Sequence, residues 1–496
     1  MLPSILSNHA VLQRETMAPI WGWEHPGNPV SVEFRGKTYE TNTGEDGRWE
    51  VAVATGSAGG PFEMVIRTPA GEQRLHDLLV GEILIGGGQS NLWWPLENCF
   101  DFESIQADAE DPLLRLFDTN TNPRSGGWRA DTPQRTIDTQ WVKPHATNIG
   151  RFPSTAYFCA KKLREQLEVP VGILHFAVPG SSIQPHIARA YGEKHFPEML
   201  EAWREAEAAY PEALAAYEAG PLAEWKKEAE AAEAAGQKPR KKPGGPKKPN
   251  RLEYGGFHNA MIHPCQPWSA RAVLWWQGEG NQSEVENYRR LFPILINNWR
   301  EGWRQPELPF CFVELANIGP KQTAPIEEET FPCIRDAQKA ALALPNVYMV
   351  CALDVKKESE PVWEIHPKDK KKVGERLADL LLVEVYQQAD PPAGGPIYHD
   401  AQPLGDRVEI VFTEDEGLTT SDGEPLRGFA IAGADREWRW GEARLEGRTL
   451  IVTHPEIEKP AAVRYAWANH PIGNLTNASG QPAAAFRTDH WPLKKP

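Results

Sequence analysis

Gly86-Gly87-Gly88-Gln89-Ser90-Asn91 follows directly on the apolar run Ile83-Leu84-Ile85, and this junction decides how the chain is read. An unbroken apolar run suits a strand covered on both faces, as in a parallel sheet. The glycine-rich turn at its end leaves one serine hydroxyl at the carboxyl edge of the sheet, where open α/β folds bind ligands. Ser90 is therefore the candidate nucleophile. An ordinary strand-to-helix turn would also carry a solvated serine, so the assignment depends on a base found elsewhere in the chain.

Outward from this junction the period of the sequence changes twice. Apolar runs at 81–85, 171–178, 271–276, 309–315 and 347–353 alternate with helical patterns such as Cys159, Leu163 and Leu167, or Leu291, Leu295 and Trp299. That alternation predicts five parallel strands with helices on both faces. Before it, residues 1–80 carry short alternating runs, such as Val30-Ser31-Val32-Glu33-Phe34, broken by turns at Pro26-Gly27-Asn28 and Glu45-Asp46-Gly47. These predict a separate antiparallel β-sandwich. After about 395 the β pattern returns, in 407–412, 449–452 and 462–467, either as a second β region or as the completion of the first. An insertion at about 190–250 interrupts the α/β alternation: 197–236, rich in Ala and Glu, predicts one or two exposed helices. They lead into the basic, proline-broken stretch 238–248, which reads as a solvated linker.

Composition narrows the function classes. The 496 residues include nineteen tryptophans, enough for substantial cores, and the net charge of −15 with no basic stripe argues against a nucleic-acid partner. No run approaches the roughly 20 apolar residues of a membrane span. The six cysteines show no Cys-x-x-Cys spacing, and no His, Cys and carboxylate cluster has ligand spacing, so neither a metal nor another cofactor is expected. Cysteine pairing and oligomeric state stay open.

Serine catalysis requires a base to take its proton and an acid to orient that base. Glu364-Ile365-His366-Pro367 supplies both, two residues apart, just after the last predicted strand and at the same sheet edge as Ser90. A histidine that merely caps the next helix would look the same. Asp354, ending that strand, is a rival orienting acid. Two further turns share the edge: Pro179-Gly180-Ser181-Ser182 and Gln277-Gly278-Glu279-Gly280-Asn281. Acyl transfer needs donors aimed at the developing oxyanion. The N–H groups of Ser90 and Gly180, with an amide of Gln277 or Asn281, are the candidates; as an alternative, Asn281 would cap the helix near 283–300. Leu92, Trp93, Trp94 and Pro95 crowd the loop after the nucleophile, either as walls of a small acyl pocket or as core.

Gly88-Gln89-Ser90-Asn91, Trp275-Trp276-Gln277-Gly278-Glu279-Gly280-Asn281 and Ile365-His366-Pro367 with Lys370 and Gly374-Glu375-Arg376 together resemble the sialate O-acetylesterase family, a branch of the SGNH hydrolases. The likeness continues in Val11-Leu12-Gln13-Arg14, Trp21-Gly22-Trp23, Asn259-Ala260-Met261-Ile262 and Phe486-Arg487-Thr488-Asp489, so it spans nearly the whole chain. It implies a three-layer SGNH (flavodoxin-like) hydrolase domain over 81–395, flanked by β-sandwich regions at 1–80 and 396–496. It also implies removal of acetyl groups from sugar hydroxyls by a serine mechanism with Ser90 as nucleophile, His366 as base and Gly180 with the Gln277 turn at the oxyanion. The family has Asp-Ile-His where this chain has Glu364, whose extra methylene alters the approach to the imidazole.

The substrate implied is an O-acetylated carbohydrate, a sialate 9-O-acetyl ester first and acetylated xylan or another plant glycan second. A carbohydrate-binding protein without activity is the alternative from another class, against which intact Ser90 and His366 count. The resemblance also implies export, extracellular or periplasmic, with the motifs beginning almost at residue 1 as in a chain whose signal peptide has been removed.

Overall fold

A computed structural model describes residues 1–119, 128–246, 249, 253–326, 330–388 and 394–493. Its centre is a sheet in which Val347–Val350, Phe310–Val313, Ala272–Trp276, Gly71–Gly88, Val171–His175, Leu114–Asp118 and Trp141–Val142 lie side by side in that order. Every neighbouring pair is parallel except the last. The five expected strands are all present, and Leu114–Asp118 and Trp141–Val142 are added to them. Leu114–Asp118 is concealed in the sequence because Arg115 interrupts the apolar run. Its guanidinium is buried, donating to the carbonyls of Pro112 and Leu114 and reaching Asp77.

Successive residues of a strand face opposite sides of a sheet, and the glycines before Ser90 show what covers each side. A side chain at Gly86 would point at Leu92 and Ala156, in the helix Ser154–Leu167. One at Gly87 would lie 2.7 Å from Trp299, in the helix Val285–Gly302. The sheet is thus sandwiched between helices. The helix Lys370–Glu384 packs beside Ser154–Leu167, with Gly374 permitting the close approach: a Cβ there would sit 2.6 Å from both Phe158 and the Thr155 carbonyl.

The amino-terminal strands are not a detached module. Gly71–Gly88 is one continuous strand whose first half pairs antiparallel with Gly59–Thr68 and whose second half is the middle of the parallel sheet. The expected boundary at residue 80 falls inside it, and Val32, Trp49, Ile83 and Leu274 share one core. A long strand can serve two sheets without any break in its alternation, which is why the sequence pattern suggested a joint. The carboxyl-terminal strands, from Ile397 onward, form antiparallel sheets around a core of their own, including Val408, Phe429, Leu450, Val463 and Phe486. They are a second β region and pair with no amino-terminal strand among the described residues.

The Ala- and Glu-rich part of the insertion forms two mostly exposed helices, Pro197–Ala219 and Pro221–Ala234, after the shorter helix Arg189–His195. The linker after them folds back: Tyr217 and Trp225 donate to the carbonyls of Pro243 and Arg240. Residues 247 and 248 of the basic stretch lie outside the described residues. No helix among the described residues is long and apolar enough to cross a membrane.

Candidate active site

Three turns at the carboxyl edge of the sheet are stitched together. Gly88 has φ +123°, and a Cβ there would strike the Trp276 carbonyl at 2.2 Å, so only glycine lets the turn fold over its neighbour strand. The Gly88 carbonyl accepts from Val178 N–H, while Gln89 N–H donates to the Trp276 carbonyl. Gln89 Oε1 accepts from the N–H groups of Gly280, at 3.0 Å, and Gly278. Gly280 packs so closely on Ser181 that a Cβ would lie 2.1 Å from its carbonyl. The result fixes Ser90, half-buried, as the first residue of the short helix Ser90–Trp93.

The loop 354–369 is held as firmly by its own side chains. Glu360 accepts from the N–H groups of Lys357 and Lys368, at 2.8 Å each, closing the loop at both ends. Lys356 Nζ donates to the carbonyls of Val362 and Glu364. His366 then meets Ser90 across the 276 residues that separate them: Nε2 lies 2.9 Å from Ser90 Oγ, and Nδ1 lies 3.0 Å from Glu364 Oε1. The same Glu364 oxygen accepts the His366 backbone N–H at 2.9 Å. A carboxylate only accepts, so Nδ1 carries the proton and Nε2 is free to accept from the serine hydroxyl. The Trp94 ring stacks on His366, with centroids 4.5 Å apart and planes inclined by 17°.

The electrostatics agree with this arrangement. Burial lowers the His366 pKa and the Lys370 ammonium lowers it further, with Glu364 opposing both. Burial would raise Glu364, but the backbone and ring N–H groups of His366 outweigh it and keep the carboxyl below its ordinary value. The rival acid faces elsewhere. Asp354 receives Arg376 at 2.6 and 2.7 Å and Lys372 at 2.6 Å, and these hold its carboxyl low against the raising effect of burial.

The amides expected at the oxyanion are already committed. Gln277 Nε2 donates to Asn281 Oδ1 at 2.8 Å and to the Ser181 carbonyl at 3.2 Å. Asn281 Oδ1 also accepts Ile183 N–H, and Asn281 Nδ2 donates to Gln184 Oε1. Both side chains are fully buried, and they brace the two neighbouring turns. Nor does Asn281 cap the following helix, which starts at Val285 with no side-chain cap. By contrast, the backbone N–H groups of Ser90 and Gly180 enter no hydrogen bond among the described residues. Of the residues expected to wall the acyl pocket, Leu92 and Pro95 are buried in the packing, while Trp93 and Trp94 remain half-open.

A buried polar cluster beneath the pair was not read from the sequence. Asn91 Nδ2 donates to Glu279 Oε1 at 2.6 Å and to the Ile365 carbonyl at 3.2 Å, tying the helix that begins at Ser90 to the histidine loop. Lys370 Nζ donates to Asn91 Oδ1 at 2.5 Å and lies 4.4 Å from the centre of the Trp276 ring. Burial pushes Lys370 down to about 7 and raises Glu279. The signal available was positional. Lys370 begins the buried stripe Lys370, Val373, Gly374, Leu377 and Leu381, where a lysine is out of place unless partnered. No group of three or more His, Cys, Asp and Glu side chains among the described residues is arranged to hold a metal.

With this geometry in place, comparison with known proteins is informative. Residues 252–383 match the family described as carbohydrate esterase, sialic acid-specific acetylesterase. That segment contains Gln277, Asn281, Glu364 and His366; Ser90 lies outside it. The sialate O-acetylesterase of Mus musculus is 26% identical over 94% of this chain and 89% of its own length. That of Homo sapiens is 24% identical over 99% of this chain and 93% of its own. A crystal structure of a carbohydrate acetylesterase from Xanthomonas citri superposes with a TM-score of 0.80, at 28% identity, covering 99% of this chain and 100% of that one. The resemblance to sialate O-acetylesterases seen in the motifs therefore extends over nearly the whole chain, β regions included.

Proposed function

We propose that this protein is a serine carbohydrate O-acetylesterase of SGNH type, with Ser90, His366 and Glu364 as its triad. The observation that carries the reading is the unbroken relay from Ser90 Oγ through both ring nitrogens of His366 to Glu364, at 2.9 and 3.0 Å. Ser90 attacks the acetyl carbonyl as His366 Nε2 takes its proton. Glu364 keeps the proton on Nδ1 and stabilises the imidazolium. The N–H groups of Ser90 and Gly180 bind the oxyanion, a role for which Gln277, with both amide donors used on Asn281 and Ser181, is not available. His366 then returns the proton to the departing sugar hydroxyl, leaving acetyl on Ser90, and a water activated by the same histidine releases acetate.

The names of the mouse and human relatives favour an O-acetylated sialic acid as substrate; the Xanthomonas citri enzyme favours a broader carbohydrate acetate. We place the sialate ester first and plant-glycan acetates second. Export to an extracellular or periplasmic space belongs to this reading through the resemblance alone. The division into an esterase domain near 81–395 with flanking β regions belongs to it too, with the amino-terminal region built into the same core. The experiment is acetate release from a panel of O-acetylated sialic acids, acetylated xylo-oligosaccharides and a simple alkyl acetate. Hydrolysis that disappears with Ser90→Ala supports the proposal. A protein that binds these glycans and releases no acetate from any of them contradicts it.

A further inference from the structure

Eighteen of the nineteen tryptophans are buried or half-buried; Trp363 stands 70% exposed, with Val362 beside it at 52%. A single exposed apolar residue is unremarkable on a protein surface. The position of this one is not. Trp363 is next to Glu364 and three residues before His366, so at 3.8 Å per Cα step its backbone lies within about 11 Å of the histidine's. A residue within that limit is near enough for a sugar ring whose acetyl group lies at Ser90 to come up against it.

Nor is Trp363 the tip of a loose loop. Val362 carbonyl accepts from Gly319 N–H at 2.9 Å and from Lys356 Nζ at 2.6 Å, and Lys356 also grips the Glu364 carbonyl, so the backbone is anchored on both sides of the tryptophan. The indole rests on Gly319, which has φ +81°; a Cβ there would come within 3.1 Å of the ring. The Gly319 carbonyl is itself fixed by His470 Nδ1 at 2.9 Å, from the carboxyl-terminal β region. An aromatic ring held rigid on one side and open on the other, beside a reactive centre, costs little to order when a ligand lies on it. The half-open Trp94 ring, stacked on His366, bounds the same centre.

We infer that Trp363 is the platform on which the pyranose ring of the substrate stacks, making it a specificity-determining residue of the esterase; this rests on the function proposed above. The apolar C–H face of a pyranose fits an indole, whereas the acetyl group alone is too small to reach it. The tryptophan therefore discriminates sugar acetates from acetates without a ring.

The test compares kcat and KM of the unaltered protein, Trp363→Ala and Trp363→Phe on an O-acetylated sugar and on a small alkyl acetate. The expected result is a roughly tenfold fall in the ratio of kcat/KM for sugar acetate to that for alkyl acetate in Trp363→Ala, borne mainly by KM and partly restored in Trp363→Phe. Binding of the deacetylated sugar to Ser90→Ala, with and without Trp363→Ala, reads the platform without any turnover. It separates failure of this inference from failure of the esterase assignment. Equal losses on both esters, or weakened self-association in Trp363→Ala with sugar binding unaltered, would overturn the inference. The first outcome would make Trp363 a brace of the loop, and the second a contact between copies.

Discussion

Two polar turns at the same sheet edge, 277–281 and 364–366, look alike in sequence and behave oppositely in the structure. In the first, the Gln277 and Asn281 side chains are fully buried; Gln277 Nε2 donates to Asn281 and Ser181, and Asn281 Nδ2 donates to Gln184. In the second, His366 and Glu364 keep side-chain exposures of 23% and 30%, and among the described residues the histidine's outer nitrogen reaches only the serine hydroxyl. A buried amide bonded to neighbouring turns braces them, because releasing it toward a ligand would orphan its partners. A half-open histidine with one flexible hydroxyl partner is poised to transfer a proton. Similar residues thus acquire different work from burial and from the number of bonds already made.

The comparison breaks first at Ser90, the proposed nucleophile. Ser90→Ala is expected to lower kcat by at least about 10³-fold, with a nearly unaltered thermal melting curve because the half-buried hydroxyl bonds only to the half-open His366 among the described residues. Retained turnover at matched folding would move the chemistry elsewhere. Next come the two acids. Glu364→Gln should cost up to about 10⁴-fold in kcat, since it loses the charge that stabilises the imidazolium. Asp354→Asn should act on melting temperature instead, because it releases the buried Arg376. A rate collapse confined to Asp354→Asn would reverse the assignment; rates preserved in both would reduce the triad to a serine–histidine pair.

The scaffold turn gives a smaller and different effect. Asn281→Ala removes the acceptor of Ile183 N–H and Gln277 Nε2, and is expected to destabilise the fold by about 2–4 kcal/mol, read by denaturant unfolding. Any rate loss per folded molecule should stay well below that of Ser90→Ala. A fully stable variant with a 10³-fold rate loss would put Asn281 at the oxyanion after all.

The smallest effect concerns pH. His366 must be unprotonated to accept the serine proton, and its pKa lies below the ordinary imidazole value through burial and the Lys370 charge. Activity should therefore persist as pH falls, until the imidazole protonates at a midpoint below that of a free histidine. Lys370, at about 7, is charged on this acid side. Lys370→Gln keeps a donor for Asn91 but removes the charge, so the acid limb of kcat/KM should move up by roughly half a unit to one unit. Titrating activity between pH 4 and 9 reads it, and an unmoved limb would exclude Lys370 from setting the histidine's charge.

These contrasts also mark what the sequence could and could not disclose. The strand leading to Ser90 and the acid–histidine pair were legible because each is local: an apolar run with a glycine turn, and two titratable residues at i and i+2. The commitment of Gln277 and Asn281 was not, since it depends on Ile183, Gln184 and Ser181, nearly a hundred residues away. The boundary expected at 80 falls within the strand Gly71–Gly88 because alternation says which face a residue takes, not which sheet the strand joins. Arg115 hid a strand because a buried cation interrupts its apolar run, held by carbonyls of its own segment and by Asp77. Asn91 and Lys370 stood within recognisable motifs, yet their roles appear only when the two ends of the hydrolase region close on each other.

The central claim is that Ser90 is the residue acylated during turnover, and covalent trapping tests it most directly. Treat the folded protein with a serine-directed fluorophosphonate until acetate release stops, then map the adduct by peptide mass spectrometry. The account predicts one phosphonyl group, on Ser90, forming at a rate that collapses in His366→Ala. Complete inactivation with the adduct on another residue, or full acetylesterase activity in a protein labelled at Ser90, would contradict it.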